Sequence, residues 1–272
     1  MLTEKSFDTG TVKLNYVEGP ASGLPLVLLH GITLRWQSFI PVIPTLAFRY
    51  HVYGVDLRGH GLSGHMTGAY QMSDYAEDVI HFIRQQIGKP AILIGHSLGA
   101  TVAIEIAANA PDTVQALVLE DPALYIAPDG DFTDKVTHAA FVAWRDLLLT
   151  HHSIEEIMPA LAALFPDLDQ VSLRSWSKCL SLLDHDALTQ LTDGHTHQQH
   201  DPDVLLSKIS CPVLLLQGDP ALGALLYDQD VERARLLLKH CLHIRMAGVG
   251  HMLHDEKTQA FCYSVMDFLE AL

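Results

Sequence analysis

Positive charge is scarce in this chain. Lysine and arginine total 17 against 32 aspartates and glutamates, a formal charge of −15 at pH 7 over 272 residues. A field of that sign repels phosphate backbones and anionic lipid headgroups. It excludes nucleic acid and acidic membranes as expected partners and leaves a small-molecule substrate. Long apolar runs are missing too. Leu24–Leu29 and Val213–Leu216 are strand-sized, whereas a membrane-spanning helix needs about 20 apolar residues. Met1 to Gly10 shows no basic stretch leading into an apolar one, so no signal peptide is expected. Cysteine is sparse: Cys179, Cys211, Cys241 and Cys262 stand apart, without C-x-x-C spacing. That scatter argues against a disulfide framework and fits free thiols in a reducing cytoplasm. What the chain does have is apolar substance, 49% of its residues, enough for one large core with nothing that reads as disorder.

Strand and helix alternate along the first half. Glu4–Phe7 and Val12–Val17 read as a hairpin about Asp8-Thr9-Gly10. Leu24–Leu29, His51–Val55, Ala91–Ile94 and Val114–Leu119 read as strands, such continuous apolar runs being covered on both faces. Between them the pattern predicts helices over Trp36–Phe48, despite Pro41 and Pro44, from a Ser73 cap to Ile87, and over Leu98–Asn109. Ala76, Val79, Ile80, Ile83 and Ile87 supply the three-and-four spacing of the second helix. Repeated units of this kind predict a mostly parallel sheet sandwiched by helices. After Asp121-Pro122 the rhythm breaks into amphipathic stretches only: Phe132–Thr150, Ser153–Leu164, Leu168–Leu182 and Asp186–Leu191. Strands Cys211–Gln217 and His243–Met246, with helices Asp230–Lys239 and Glu256–Leu269, then restore it. The expected organisation is a core domain of residues 1–122 and 207–272, with residues 123–206 inserted as a helical cap.

The chemistry concentrates in Ile92-Leu93-Ile94-Gly95-His96-Ser97-Leu98-Gly99-Ala100. A buried strand runs into Gly-x-Ser-x-Gly and straight on into a helix. A serine hydroxyl is a weak nucleophile until it is lifted clear of the sheet on a sharp turn, where flanking glycines leave room for neighbouring backbone. The following helix N-terminus favours developing negative charge. Earlier, Leu29-His30-Gly31-Ile32 ends a strand in a loop able to aim the Ile32 amide at the same centre. With the Leu98 amide it forms a candidate two-donor oxyanion hole.

His30-Gly31 after the third strand, Asp56-Leu57-Arg58-Gly59-His60-Gly61-Leu62-Ser63 after the fourth, Gly95-His96-Ser97-Leu98-Gly99, and Gly248-Val249-Gly250-His251 near the end resemble one family. It is the esterase, lipase and carbon–carbon hydrolase branch of the α/β-hydrolases, and the likeness covers nearly all of the chain outside the insertion. The resemblance implies an α/β-hydrolase fold: a mostly parallel eight-stranded sheet flanked by helices, with a helical cap after the sixth strand. It also implies a Ser97 nucleophile, a His251 base and no cofactor or metal. His254 is the rival base in the same loop. His96 is expected to turn away from the nucleophile, His30 to tie loops together, and Asp56 and Arg58 to brace them.

The acid is less plain. The commonest family position lies three residues past the glycine that ends the seventh strand, and here Gly218 is followed there by Ala221. Asp121, at the end of the sixth strand, is the preferred acid, at a site that some lipases and lactonases of the family use. Asp219, set against Pro220, is the alternative, followed by Glu120 and Asp230.

In the expected cap, His195-Thr196-His197-Gln198-Gln199-His200 briefly suggests a metal site but reads better as a solvated polar loop. Of Phe141, Trp144, Phe165, Trp176 and Leu180, most read as its interface with the sheet and two as a pocket wall, and an apolar lid favours an apolar substrate. Arg35 is a candidate to grip a substrate carboxylate. The expectation is a carboxylic-ester, lactone or thioester hydrolase. Carbon–carbon bond hydrolysis and a low-turnover ligand receptor are the alternatives. Epoxide hydrolases and dehalogenases fit less well, since they need aspartate where Ser97 stands.

Overall fold

Each of the eight stretches expected to be a strand becomes one in the computed structural model, which describes residues 1–125 and 135–272. The strands are β1 (Thr3–Asp8), β2 (Lys13–Glu18), β3 (Pro25–Leu29), β4 (His51–Val55), β5 (Ala91–His96), β6 (Val114–Glu120), β7 (Val213–Gln217) and β8 (Cys241–Arg245). They form one eight-stranded sheet in the order β1-β2-β4-β3-β5-β6-β7-β8. β2 is antiparallel to both neighbours, and every pairing from β4 across to β8 is parallel. The first hairpin turns at Gly10, whose φ of 93° suits glycine; the Asp8 carboxylate accepts its N–H at 2.9 Å.

The helices are α1 (Ile43–Leu46), α2 (Met72–His81), α3 (Leu98–Asn109), α4 (Lys135–Leu148), α5 (Ile154–Leu164), α6 (Gln170–Leu180), α7 (His185–Thr192), α8 (Pro202–Lys208), α9 (Asp228–Leu237), α10 (Leu253–Glu256) and α11 (Thr258–Glu270). β3, β5 and β7 are buried along their whole length, because helices cover both faces of the sheet. Side chains alternate between those faces with the strand period of two. Val27, Leu29, Leu93, Leu117 and Leu215 pack with α2, α3 and α9. Leu26, Leu28, Ile92, Ile94, Leu214 and Leu216 pack with α1 and α11.

Three local expectations need correction. The helix expected over Trp36–Phe48 is a 3₁₀ turn, Trp36–Phe39, followed by the short α1; Pro41 and Pro44 lack the N–H groups a continuous helix requires. The second helix starts at Met72 rather than at a Ser73 cap, with the Asp74 carboxylate accepting the Gln71 N–H at 2.8 Å. It ends through a π-helical turn, Phe82–Ile87, at Gly88. Between β6 and β7 the described residues form helices and no strand; residues 132–134 of the expected Phe132–Thr150 helix lie outside them. Among the described residues no helix is long and apolar enough to cross a membrane.

Candidate active site

The parallel strands all end on one edge of the sheet, and that edge carries the site. Ser97 joins β5 to α3 with φ 52° and ψ −116°. A side chain held there costs about 1–3 kcal/mol unless its surroundings enforce it. They do: a Cβ on Gly99 would lie 2.0 Å from the Leu29 carbonyl oxygen, and one on Gly95 would lie 2.3 Å from the Gly99 carbonyl oxygen. Only glycine allows this packing. The Ser97 N–H is tied to the Glu120 carbonyl at 3.0 Å. Leu98 opens α3, where the first N–H groups have no helical acceptor. The loop after β3 closes on the same point, since a Cβ on Gly31 would sit 3.2 Å from Ser97 Cβ.

The third part comes from the far side of the sheet. A Cβ on Gly218 would fall 2.1 Å from the Gly250 carbonyl oxygen, so the end of β7 packs directly on the loop holding His251. His251 Nδ1 donates to Asp121 Oδ2 at 2.6 Å. Asp121 is wholly buried, with a left-handed φ of 43°. Its carboxylate accepts the N–H groups of Gly218 at 3.3 Å, Leu225 at 2.7 Å and Leu226 at 3.3 Å. Those N–H groups fill the acceptor sites of the Asp121 carboxylate, and the Nδ1–H contact leaves Nε2 of the imidazole with its lone pair. A hydroxyl proton can be taken there.

Asp219, the other acid candidate, lies elsewhere. It accepts the Ala221 N–H at 3.1 Å, at the head of a 3₁₀ turn, and sits 3.8 Å from Arg245. Asp230 accepts the Tyr227 N–H at the start of α9. Glu120 meets His254 instead: the ring Nδ1 lies 2.8 and 2.9 Å from its two oxygens and the backbone N–H 2.8 Å from one of them. This sealed pair was not foreseen as a pair, although two adjacent carboxylates followed by two histidines three residues apart are its visible trace. Burial would lower the His254 pKa, but the Glu120 carboxylate outweighs it and the result is a rise.

His96 packs on the loop of His251. Its ring lies 4.6 Å from that of His251, and its Nε2 donates to the His251 carbonyl at 3.0 Å. Burial keeps it neutral, with a pKa well below the usual histidine value. His30 ties loops: Nδ1 donates to the Gly31 carbonyl at 2.8 Å while Nε2 accepts the Leu57 N–H at 3.0 Å. Asp56 accepts the Trp36 and Leu62 N–H groups, and Arg58 pairs with Asp78 at 2.6 Å. Arg35 leads into the Trp36–Phe39 turn with its Nε buried and without a hydrogen-bond partner among the described residues, and its charge acts on Asp56 and on the Cys179 thiol. The segment 195–200 departs from the solvated loop expected of it. Thr196 and His197 are buried, and His200 donates to Glu105 at 3.0 Å. Among the described residues no three His, Cys, Asp or Glu side chains converge as metal ligands would.

Residues 25–258 match the alpha/beta hydrolase fold family, and the chain belongs to it. It is 33% identical to the 2-(acetamidomethylene)succinate hydrolase of Mesorhizobium japonicum over 97% of its own length and 94% of that protein's. It is 27% identical to the pimeloyl-[acyl-carrier protein] methyl ester esterase of Nitrosomonas europaea over 84% of this chain and 92% of that one. The crystal structure of an E-2-(acetamidomethylene)succinate hydrolase superposes with a TM-score of 0.81 at 24% identity, covering 99% of this chain and 100% of that one. The family and these relatives make the protein a hydrolase.

Proposed function

We propose that the protein is a serine hydrolase that cleaves a carboxylic ester, or a closely related acyl compound, of a small molecule. The observation that carries this reading is the 2.6 Å contact of His251 with the buried Asp121, on a loop packed beside the Ser97 turn. Ser97 Oγ attacks the carbonyl carbon while His251 Nε2 takes its proton. The oxyanion forms beneath the amides of Ile32 and Leu98. Collapse expels the leaving alkoxide, which takes the proton from the imidazolium. Water, deprotonated by the same nitrogen, then attacks the acyl-enzyme, and the acid departs with Ser97 restored. These residues supply the whole cycle without a cofactor. The helices α4–α8 act as the lid, and the four free thiols suit a reducing cytoplasm.

A second substrate class is favoured by the full-length likeness to a 2-(acetamidomethylene)succinate hydrolase. That compound joins an acylamino group to a dicarboxylate, and the same cycle serves an acyl–nitrogen bond. One experiment separates the readings. The protein is incubated with a fluorophosphonate, then assayed on p-nitrophenyl acetate and on 2-(acetamidomethylene)succinate. We expect label on Ser97, turnover of at least one compound, and loss of both in Ser97→Ala. Label without turnover favours a ligand-binding protein; an unlabelled Ser97 overturns the proposal.

A further inference from the structure

The loop that carries Ile32 has an awkward backbone. Thr33 stands at φ 66°, buried, and the Leu34 N–H bonds the Gly31 carbonyl at 3.2 Å. Thr33 is therefore the third residue of a four-residue turn whose left-handed third position selects glycine or asparagine. A β-branched residue belongs there least. Something outside the loop must hold it.

The holder comes from the inserted helices. The indole N–H of Trp176 on α6 donates to Thr33 Oγ1 at 3.3 Å, across 143 positions of sequence. That indole is itself locked, with Trp144 of α4 at 5.3 Å and Phe165 at 5.0 Å between ring centres. Three residues further along α6, the buried Cys179 lies close enough to Arg35, two residues beyond Thr33, for that charge to act on its thiol. So α6 grips the loop through the indole, while Gly31 at the other end of the turn abuts Ser97 and His96.

We infer that Trp176 is a positioning residue for the oxyanion hole. By seating on Thr33 it holds the left-handed turn and thereby aims the Ile32 amide, so the hole is complete only while α6 is docked. The inference rests on the serine-hydrolase reading above. Without the indole contact Thr33 relaxes toward negative φ, the Ile32–Thr33 peptide rotates, and Leu98 is left as the one well-aimed donor.

The test is a double-mutant cycle on the full chain with p-nitrophenyl acetate. Trp176→Phe keeps the aromatic packing and deletes the donor; Thr33→Val deletes the acceptor. Removing an oxyanion donor outright costs about 10²–10³ in kcat, so misaiming one is expected to cost about tenfold in either variant, with KM held within about twofold. In the Thr33→Gly background the left-handed turn needs no holder. There, adding Trp176→Phe is expected to change kcat by less than about twofold, whatever rate that background has. Amide hydrogen exchange over residues 31–34 is measured on the same proteins. It should quicken about tenfold on Trp176→Phe with Thr33 present and stay unchanged when Trp176→Phe is added to Thr33→Gly. An equal loss in both backgrounds, or no loss in either, overturns the inference. A wild-type protein with neither Ser97 label nor turnover defeats the hydrolase reading instead; the exchange data then still decide whether Trp176 holds the turn.

Discussion

Two carboxylates leave β6 side by side, one holding His251 in the loop after β8 and the other His254 on α10, and the two pairs have opposite characters. Glu120 and His254 are sealed, both side chains at 0% exposure, whereas Asp121 is sealed but His251 is 26% exposed. The hydrogen bonds explain the split. Asp121 accepts three backbone N–H groups besides the ring, while Glu120 accepts one. The Asp121 carboxylate already has three backbone donors, and its histidine stays partly exposed at the edge of the sheet. A carboxylate with one such donor leans on its histidine instead, raising that ring's pKa against the effect of burial, and the pair becomes a fastening. The same two residue types thus yield a pair open to solvent, which the proposed mechanism uses, or a sealed one, and the loop after β7 gives its amides to the first.

The largest expected effect breaks the reactive half. In Asp121→Asn the amide NH₂ takes the place of the oxygen that faces His251 Nδ1, which must then accept rather than donate. The wrong tautomer leaves no base at Nε2, and kcat on an ester substrate is expected to fall about 10⁴-fold. The Leu225 N–H loses its acceptor as well, so stability should drop by only about 1–3 kcal/mol. Glu120→Ala should do the reverse. Leaving one member of a buried pair alone costs about 3–5 kcal/mol, read as a lower urea midpoint, with kcat of the folded fraction within about tenfold of wild type. Equal kinetic losses in the two variants would erase the distinction drawn between the pairs.

Acid sharpens it further. Burial lowers the pKa of His30 to about 4, of His60 to about 3 and of His197 to about 3, and that of His96 well below the usual value. All are neutral in the fold and take up protons at about pH 6.5 once unfolded. Between pH 6.5 and about 4 the unfolded chain therefore binds more protons, and stability present above 6.5 is lost as pH falls, on the order of several kcal/mol by pH 5. His254 has the opposite sign. Its raised pKa gives stability that is complete below 6.5 and lost as pH climbs through the folded value. Melting temperatures across pH 4.5–9 should fall steeply on the acid side and gently on the alkaline side. His254→Gln should flatten only the alkaline limb.

Much of this was legible in the sequence, and the parts that were not share a physical cause. Strands covered on both faces leave unbroken apolar runs, and the Ser97 turn betrays itself through Gly95 and Gly99, whose missing side chains are sterically required. The acid left no such trace. What brings Asp121 to His251 is a set of backbone N–H groups from Gly218, Leu225 and Leu226, and every residue but proline carries one. The sequence alone therefore leaves Asp121 preferred, with Asp219, Glu120 and Asp230 behind it. The grip of Trp176 on Thr33 was equally hidden, because a contact across 143 positions has no local period. The segment 195–200 misled for the converse reason: its polar composition suggests solvent, yet His200 finds Glu105 on α3.

Asp219→Asn is expected to do least, and for that reason it isolates the choice of acid. The Asp219 carboxylate accepts one local N–H, from Ala221, and its separation from Arg245 is loose at 3.8 Å. Asparagine keeps an oxygen for that N–H and remains a favourable residue at the head of a helical turn. A partly exposed ion pair of this kind is worth about 0–1 kcal/mol, so the urea midpoint should barely move and kcat should stay within about twofold. The nearby backbone supports this, since the Asp219 N–H bonds the Val249 carbonyl at 2.7 Å and holds the His251 loop whichever side chain is present. A thousandfold kinetic loss here, with Asp121→Asn nearly silent, would require the loop to rearrange on substrate binding and pass the role of acid from β6 to β7.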